Sequence, residues 1–368
     1  MSLHGDPTSP STALARVAGH RQRFEPAFAQ YFADLTDSLE RPPLSGFAPR
    51  CLDLLAELSL RGGKRLRVAL LYEAARLVTE DELPGLAEGA LSLELLQAHS
   101  IILDDIIDDA PVKRGGPSTL YACREDLPDR PQSALGMAMM VGDLAGFLSL
   151  RVLLEADLPA ALKQAMLQVQ LEASTDTIFG QVLDLERDLL PAPGQELLDS
   201  VSDFKTARYT VLAPLRMGLL AAGADPSEHE PSLRRYAALA GIGGQIRDDY
   251  FDLFGDPQLT GKPVGVDVRA GRHTYVTRAL LAATSGSAHA AVRAALRSPD
   301  ADPRTFERLR TIALDHRVDV HLQETMEKYG AAATAEAASW RAHWREDAVT
   351  VFEQIPQLNA RRTGRPAD

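Results

Sequence analysis

Strict alternation of apolar and polar positions is scarce along this chain. Long stretches rich in Ala, Leu, Arg, Glu and Gln follow one another instead, and these residues favour helices. Gly and Pro gather in short breaks at 41–45, 115–117, 191–194, 224–231, 255–263 and 298–303, which punctuate helices rather than strands. The stretch 89–109 is long, apolar and nearly free of charge until its end. A helix apolar on most sides is usually central in a large core. No repeat at a solenoid period is evident. The pattern predicts an all-α protein with one large helical domain over 21–358, a flexible N-terminal extension over 1–20 and a flexible tail over 359–368.

Composition narrows the function classes. The chain has 368 residues, 45% hydrophobic and 24% charged, with only 6% aromatic, which is ordinary globular material. A formal net charge of -12 argues against a nucleic-acid binder, which presents a basic face. Cys51 and Cys123 match neither a zinc spacing nor a disulfide framework, and they fit a reducing, cytoplasmic setting. No uncharged apolar run reaches about 18 residues, so no spanning helix is predicted. The polar, Pro- and Ser-rich start lacks the apolar core of a signal peptide.

The chemistry begins at Leu103-Asp104-Asp105-Ile106-Ile107-Asp108-Asp109. On a helix Asp104 and Asp108 lie one turn apart on the same face. Like charges at that spacing repel, and the C-terminal end of a helix disfavours negative charge further. A divalent cation offsets both costs. Oxygen ligands with few protein contacts suit Mg²⁺, which keeps waters and binds substrate phosphates. One such cluster is equally well read as a solvated acidic helix end. The pattern repeats at Gln245-Ile246-Arg247-Asp248-Asp249-Tyr250-Phe251-Asp252, again after an apolar small-residue helix. Two such clusters suggest a metal-filled trap for a polyphosphate.

Cations accompany both clusters. Arg61-Gly62-Gly63-Lys64-Arg65-Leu66-Arg67 sets basic side chains beside two glycines, without the spacing of a P-loop. Lys113-Arg114-Gly115 follows the first cluster, and Lys262 and Arg272 follow the second. Lys205-Thr206 lies on a predicted helix with Tyr209 one turn along. Each alone reads as an ordinary surface residue; in an acidic protein the set points to phosphate.

From Gly62 to Tyr275 these residues resemble the trans-isoprenyl diphosphate synthases, the polyprenyl synthetase family. The likeness runs through Gly62-Gly63-Lys64-Arg65, both DDxxD clusters, Gly180-Gln181-x-x-Asp184, Lys205-Thr206-x-x-Tyr209-Thr210 and the stretch 255–274. It implies an all-α isoprenoid synthase fold around a deep central cavity, a homodimer and about three Mg²⁺ ions. It also implies roles. Asp104, Asp105 and Asp108 belong to the first metal set, with Asp105 in support, and Asp248, Asp249 and Asp252 to the second. Lys113, Lys205 and Lys262 would contact the allylic diphosphate, and Arg272 belongs with the substrate-binding residues. Lys64, Arg65, Gln97 and Arg114 would hold isopentenyl diphosphate. Gln181, Gln245 and Thr206 would line the reacting region. Two departures stand out: Lys113 replaces a frequent arginine and loses its bidentate fork, and Gln97 stands where many members carry histidine.

The implied reaction is head-to-tail condensation, with His99 and Ser100, one turn before Asp104, gating chain length. Ser100 is small and His99 intermediate, which favours a C20 product, geranylgeranyl diphosphate, over farnesyl (C15) or C25 and longer. His99 is equally well read as a packed core histidine. A class I terpene cyclase would carry a different second metal motif, and a silent partner subunit would not need intact aspartates and cations.

Overall fold

The computed structural model describes residues 10–190, 193–255, 265–296 and 303–360. Two compact units are interleaved along the chain: Met1–Thr175, Tyr209–His229 and Trp344–Val351 in the first, and Asp176–Arg208, Glu230–His343 and Phe352–Asp368 in the second. Both are helical. Among the described residues the strands are Val112–Lys113 and Gly116–Pro117, paired as one short antiparallel hairpin.

In the first unit the core lies along α4 (Leu86–Ile107). Leu93, Leu95, Leu96 and Ile102 are fully buried there, on more than one side of the helix. The chain around α4 includes α1 (Pro10–Ser38), α2 (Phe47–Leu60), α3 (Leu66–Arg76), α5 (Thr119–Asp126), α6 (Pro131–Glu155) and α9 (Ala213–Ala221). α6 offers α4 a face of small residues, Ala134, Ala138, Val141, Gly142 and Ala145, all buried. Small side chains let two helix axes approach closely, so α4 can be wrapped without loss of packing. α1 contributes Phe24, Phe28 and Phe32, whose four-residue spacing stacks them on one face with ring centroids 5.0 and 5.1 Å apart. Each buried phenyl ring stabilises by roughly 1.5–3 kcal/mol.

Two expectations need amendment. Residues 10–20, read from the sequence as a loose end, form the start of α1, and Arg16 and His20 are hydrogen-bonded to the buried Glu73 of α3. Their polar sequence concealed an ionic anchor rather than an absence of order. α6 has the length and composition to cross a membrane although no such helix was predicted. The face buried against α4 accounts for much of that apolar character. Its opposite side exposes Met140, Phe147 and Leu154 at seven-residue steps.

The second unit is built on α10 (Glu230–Phe254) and the helix Val318–Ser339. Ile242, Ile246, Leu253, Leu280, Leu322 and Met326 form its core. Tyr236 is fully buried beside Trp340 and Phe352, and its hydroxyl donates to the Phe352 carbonyl at 2.9 Å. α7 (Ala160–Leu189) and α8 (Gln195–Ser202) precede a π-helical segment, Asp203–Leu212.

Candidate active site

The first set of residues belongs to the first unit. α4 ends as the sequence predicts: Ile107 is its last residue and Asp108 caps it, with the Asp108 N–H donating to the Asp104 carbonyl at 2.9 Å. Asp104 and Asp108 are half-buried and Asp105 is buried. The Asp105 carboxylate accepts from Lys113 at 2.6 Å. Lys113 sits on the hairpin, whose two-residue loop is Arg114-Gly115. Both loop residues have positive φ, 51° and 75°, as the hairpin turn that matches strand twist requires. Gly115 adopts this freely and Arg114 pays strain for it. Arg61 braces the hairpin from the end of α2, donating to the Lys113 and Pro117 carbonyls at 3.3 and 2.6 Å.

The turn fixes the direction of Arg114, whose guanidinium packs against Gly63. Burial pushes that guanidinium below its ordinary value; Arg65 and Arg67 push the same way, while Glu94 and Glu25 oppose. Arg67, in the first turn of α3, donates to the Thr210 hydroxyl at 2.6 Å and stacks 4.4 Å over the Tyr209 ring. Its Nε is buried without a protein partner. Tyr209 in turn donates to the Gln97 carbonyl oxygen at 3.2 Å, which leaves the Gln97 amide nitrogen to act as a donor. Lys64 is exposed. Cations concentrated in this way call for an anion.

The structure therefore distributes the predicted cations differently from the sequence reading. Gln97 and Arg114 lie with Arg67, which was not among the predicted site residues, while Lys64 is exposed in the turn before α3. Arg65 is buried and its guanidinium is engaged by Glu25 and Glu94, so the arginine read as a ligand points into the protein. His99 is half-buried with Nδ1 2.8 Å from the Gly142 carbonyl oxygen of α6, and the Ser100 hydroxyl donates to the Leu96 carbonyl at 3.0 Å.

The second set belongs to the second unit. α10 carries Gln245, Asp248, Asp249 and Asp252. Asp248 is exposed, whereas Asp249 is buried and accepts from the Gln245 amide at 2.9 Å and the Tyr275 N–H at 3.0 Å. Burial pushes the Asp249 carboxyl up to about 7, opposed by those two hydrogen bonds and reinforced by Asp248. Asp252 accepts from the Val266 and Asp267 N–H groups at 3.0 and 3.2 Å. Lys205 and Thr206 lie in the π-helical segment, and Lys205 donates to Asp184 of α7 at 2.6 Å. Arg187, one turn along α7, pairs with the same Asp184 at 2.6 Å. Lys205, Thr206, Gln245, Asp249 and Arg272 surround one cavity of about 70 Å³, with Asp184 and Arg187 also in its wall. Arg187 escaped the sequence reading, although an arginine three residues after Asp184 is a signal. Gln181 is half-buried on α7 and is not among the residues lining this cavity. Lys262, with the 256–264 stretch of the resemblance, lies outside the described residues.

Among the described residues no three His, Cys, Asp or Glu side chains converge as a preformed metal cage. Mg²⁺ prefers one or two carboxylates plus waters and substrate oxygens. The carboxylate pair of α4 and that of α10 are each donors of this kind, and a cation beside Asp249 would reverse the effect of its burial.

The fold and these residue sets define an enzyme of isoprenoid chemistry. Residues 49–312 match the polyprenyl synthetase family model. The chain belongs to that family and is a prenyltransferase. It is 28% identical over 313 residues to the short chain isoprenyl diphosphate synthase of Methanothermobacter thermautotrophicus, covering 84% of this chain and 86% of that one. It is 30% identical over 226 residues to the farnesyl diphosphate synthase of Escherichia coli, covering 59% and 71%. Among solved structures, the geranylgeranyl pyrophosphate synthase of Corynebacterium glutamicum, complexed with isoprenyl diphosphate and magnesium, superposes with a TM-score of 0.79 at 24% identity, over 95% of this chain and 98% of that one.

Proposed function

We propose that this prenyltransferase condenses isopentenyl diphosphate head to tail (1′-4) with an allylic diphosphate, releasing diphosphate and giving all-trans geranylgeranyl diphosphate. The observation that carries the reading is the group formed by Arg67, Arg114 and Gln97, with Lys64 on the adjoining turn. It is a phosphate site made of cations rather than of carboxylate-held metal. A cyclase handles one diphosphate; a condensing enzyme must hold two, one of which stays bound to its carbon. Metal-linked aspartates suit the diphosphate that leaves, and bare cations suit the one that stays.

Asp104 and Asp108 in the first unit and Asp248 in the second would hold Mg²⁺, about three ions in all, assisted by Asp249 and Asp252. Bound Mg²⁺ supplies electrostatic stabilisation to the departing diphosphate. Lys205 and Lys113, held on Asp184 and Asp105 in this structure, would turn to phosphate oxygens, with Arg272 and Lys262 in support. Asp105 then acts by orienting Lys113. The isopentenyl double bond attacks the allylic carbon as its bond to oxygen breaks, and the proton lost afterwards goes to the released diphosphate. Gln245, Gln181 and Thr206 orient the reacting carbons, and exclusion of water protects the cationic allyl group.

The C20 length rests on the turn before Asp104. Ser100 is small and tied to its own helix, and His99 is held on α6 by Gly142, so neither presents the bulk that a C15 stop requires. The exposed heptads Met140, Phe147 and Leu154 on α6, and Leu171, Ile178 and Leu185 on α7, suit helix packing against a second copy. The test is incubation of the purified protein with Mg²⁺, isopentenyl diphosphate and each allylic primer, with chromatographic sizing. A C20 linear product is expected. Cyclised hydrocarbon, or no product with any primer, would overturn the reading, and a C15 product would overturn the length.

A further inference from the structure

Arg65 is the best-satisfied cation near the proposed isopentenyl diphosphate site. Its Nε and Nη2 donate to the two Glu25 oxygens at 3.0 and 3.1 Å. Its Nη1 donates to Glu94 at 2.6 Å, and Nη2 also donates to the Ser59 carbonyl at 2.8 Å. The Phe24 and Phe28 rings of α1 flank the guanidinium, with centroids at 5.7 and 5.2 Å. The side chain is 1% exposed. With four of its five N–H donors spent on two carboxylates and a carbonyl, this buried guanidinium has no fork left for a phosphate.

The partners explain what the residue is for. Glu25 lies on α1, Ser59 near the end of α2 and Glu94 on α4, so one side chain ties three helices to the turn 61–65. Arg65 itself has φ +48°, a left-handed conformation that reverses the chain between Lys64 and Arg67. The side chain is buried while Lys64 is exposed and Arg67 reaches Thr210. Glu94 is three residues before Gln97, one turn away on α4. α1 has a second hold on the same region. Glu73 of α3 is fully buried and bonded to Arg16 at 3.2 Å and His20 at 2.8 Å, and α3 is the helix that carries Arg67. Glu25 and Glu94 also counter the mutual repulsion of Arg65, Arg67 and Arg114.

We propose that Arg65, with Glu25 and Glu94, is a positioning clamp for isopentenyl diphosphate binding, through which α1 sets the geometry of Lys64, Arg67 and Arg114. This rests on the reading of those three cations as that substrate's site. Glu25→Gln and Arg65→Met are each expected to raise the KM for isopentenyl diphosphate about tenfold, the order of one charge-assisted hydrogen bond. The KM for the allylic primer should stay within about twofold and kcat within about threefold. Arg65→Lys should recover part of the loss, because lysine keeps the charge without the fork. A clamp with only a structural role would lower thermal stability and raise both KM values together, and that pattern overturns the proposal. Arg67→Ala separates the two readings. If it raises the KM for isopentenyl diphosphate and Glu25→Gln does not, the clamp fails and the site stands. If Arg67→Ala has no effect either, the site reading itself fails. Glu25 is the more exposed of the two carboxylates, so Glu25→Gln keeps the test open should Arg65→Met not fold.

Discussion

A single methyl group at position 180 should cost this enzyme both stability and turnover. Gly180 is interior to the long helix α7. On helix propensity alone, alanine there would gain about 1 kcal/mol. A Cβ at this position, however, would lie 2.2 Å from the Lys205 nitrogen, 2.4 Å from its Cα and 2.6 Å from the Phe204 carbonyl carbon. These are backbone atoms of the π-helical segment and cannot rotate aside, so the two helices must part by about 1 Å to reach ordinary contact. Overpacking of this kind costs about 1–3 kcal/mol or more, which outweighs the propensity gain. Gly180→Ala should therefore melt a few degrees below the parent. Lys205 and Thr206 ride on the displaced backbone, and a shift of that size at a positioned group can cost on the order of 100-fold in rate. Gly136→Ala in α6 is the matched control, since no atom lies within 4 Å of its Cβ position. It should be neutral or stabilising, by up to about 1 kcal/mol. Thermal melts with steady-state kinetics for both variants decide the matter. A Gly180→Ala enzyme with unchanged melting temperature and kcat would refute the close-approach argument.

Asp105→Asn removes the carboxylate that holds Lys113 and leaves Asp104 and Asp108 intact. Loss of such a supporting contact should cost about 10–100-fold, less than Asp104→Ala, and rates titrated against Mg²⁺ will show whether the order is reversed. Asp347 accepts from Arg76 at 2.8 Å. Burial pushes its carboxyl up, but the Arg76 hydrogen bond and the charges of Arg345, Arg76 and Arg16 more than offset this and hold it below 3.8. Its contribution is therefore present above the unfolded value and lost as pH falls through the folded one. Melting temperature should fall less steeply below about pH 4 in Asp347→Asn than in the parent. If the proposed pairing of two copies runs through α6, Phe147→Glu on its exposed heptad should shift the sedimenting species from dimer toward monomer; an unchanged sedimentation coefficient would remove α6 from that proposal.

The placement of the aspartate pairs on two helices was legible because its signal is local. Two carboxylates four apart on an apolar helix share a face in any fold that keeps the helix, and α4 and α10 keep it. The cations were less legible because their direction depends on single backbone angles. Arg65 and Arg67 are two residues apart with the same side chain, and composition cannot rank them. The left-handed φ at Arg65 sends one guanidinium to Glu25 and Glu94 and leaves the other for Tyr209 and Thr210. The αL conformation is uncommon for an arginine, so nothing in the local sequence announces it. Glu25 and Glu94 carry no motif either. Their role follows from burial beside a guanidinium, which is a tertiary fact.

The segment Asp203–Leu212 shows the same limit more sharply. Read as an α-helix, Lys205 and Tyr209 are one turn apart and should serve one surface. A π-helix bonds to the fifth residue rather than the fourth, so the four-residue rule fails there. Lys205 meets Asp184 of the second unit's residues, whereas Tyr209 meets Gln97 and Arg67 of the first. One short stretch thus gives its lysine to Asp184 and its tyrosine to the group of Gln97 and Arg67. Each extra residue per turn rotates the following side chains against the preceding ones. Ordinary α-helical winding here would change the angle between the Lys205 and Tyr209 side chains about the helix axis. The π-helical winding is therefore part of how a single chain segment meets two different sets of side chains.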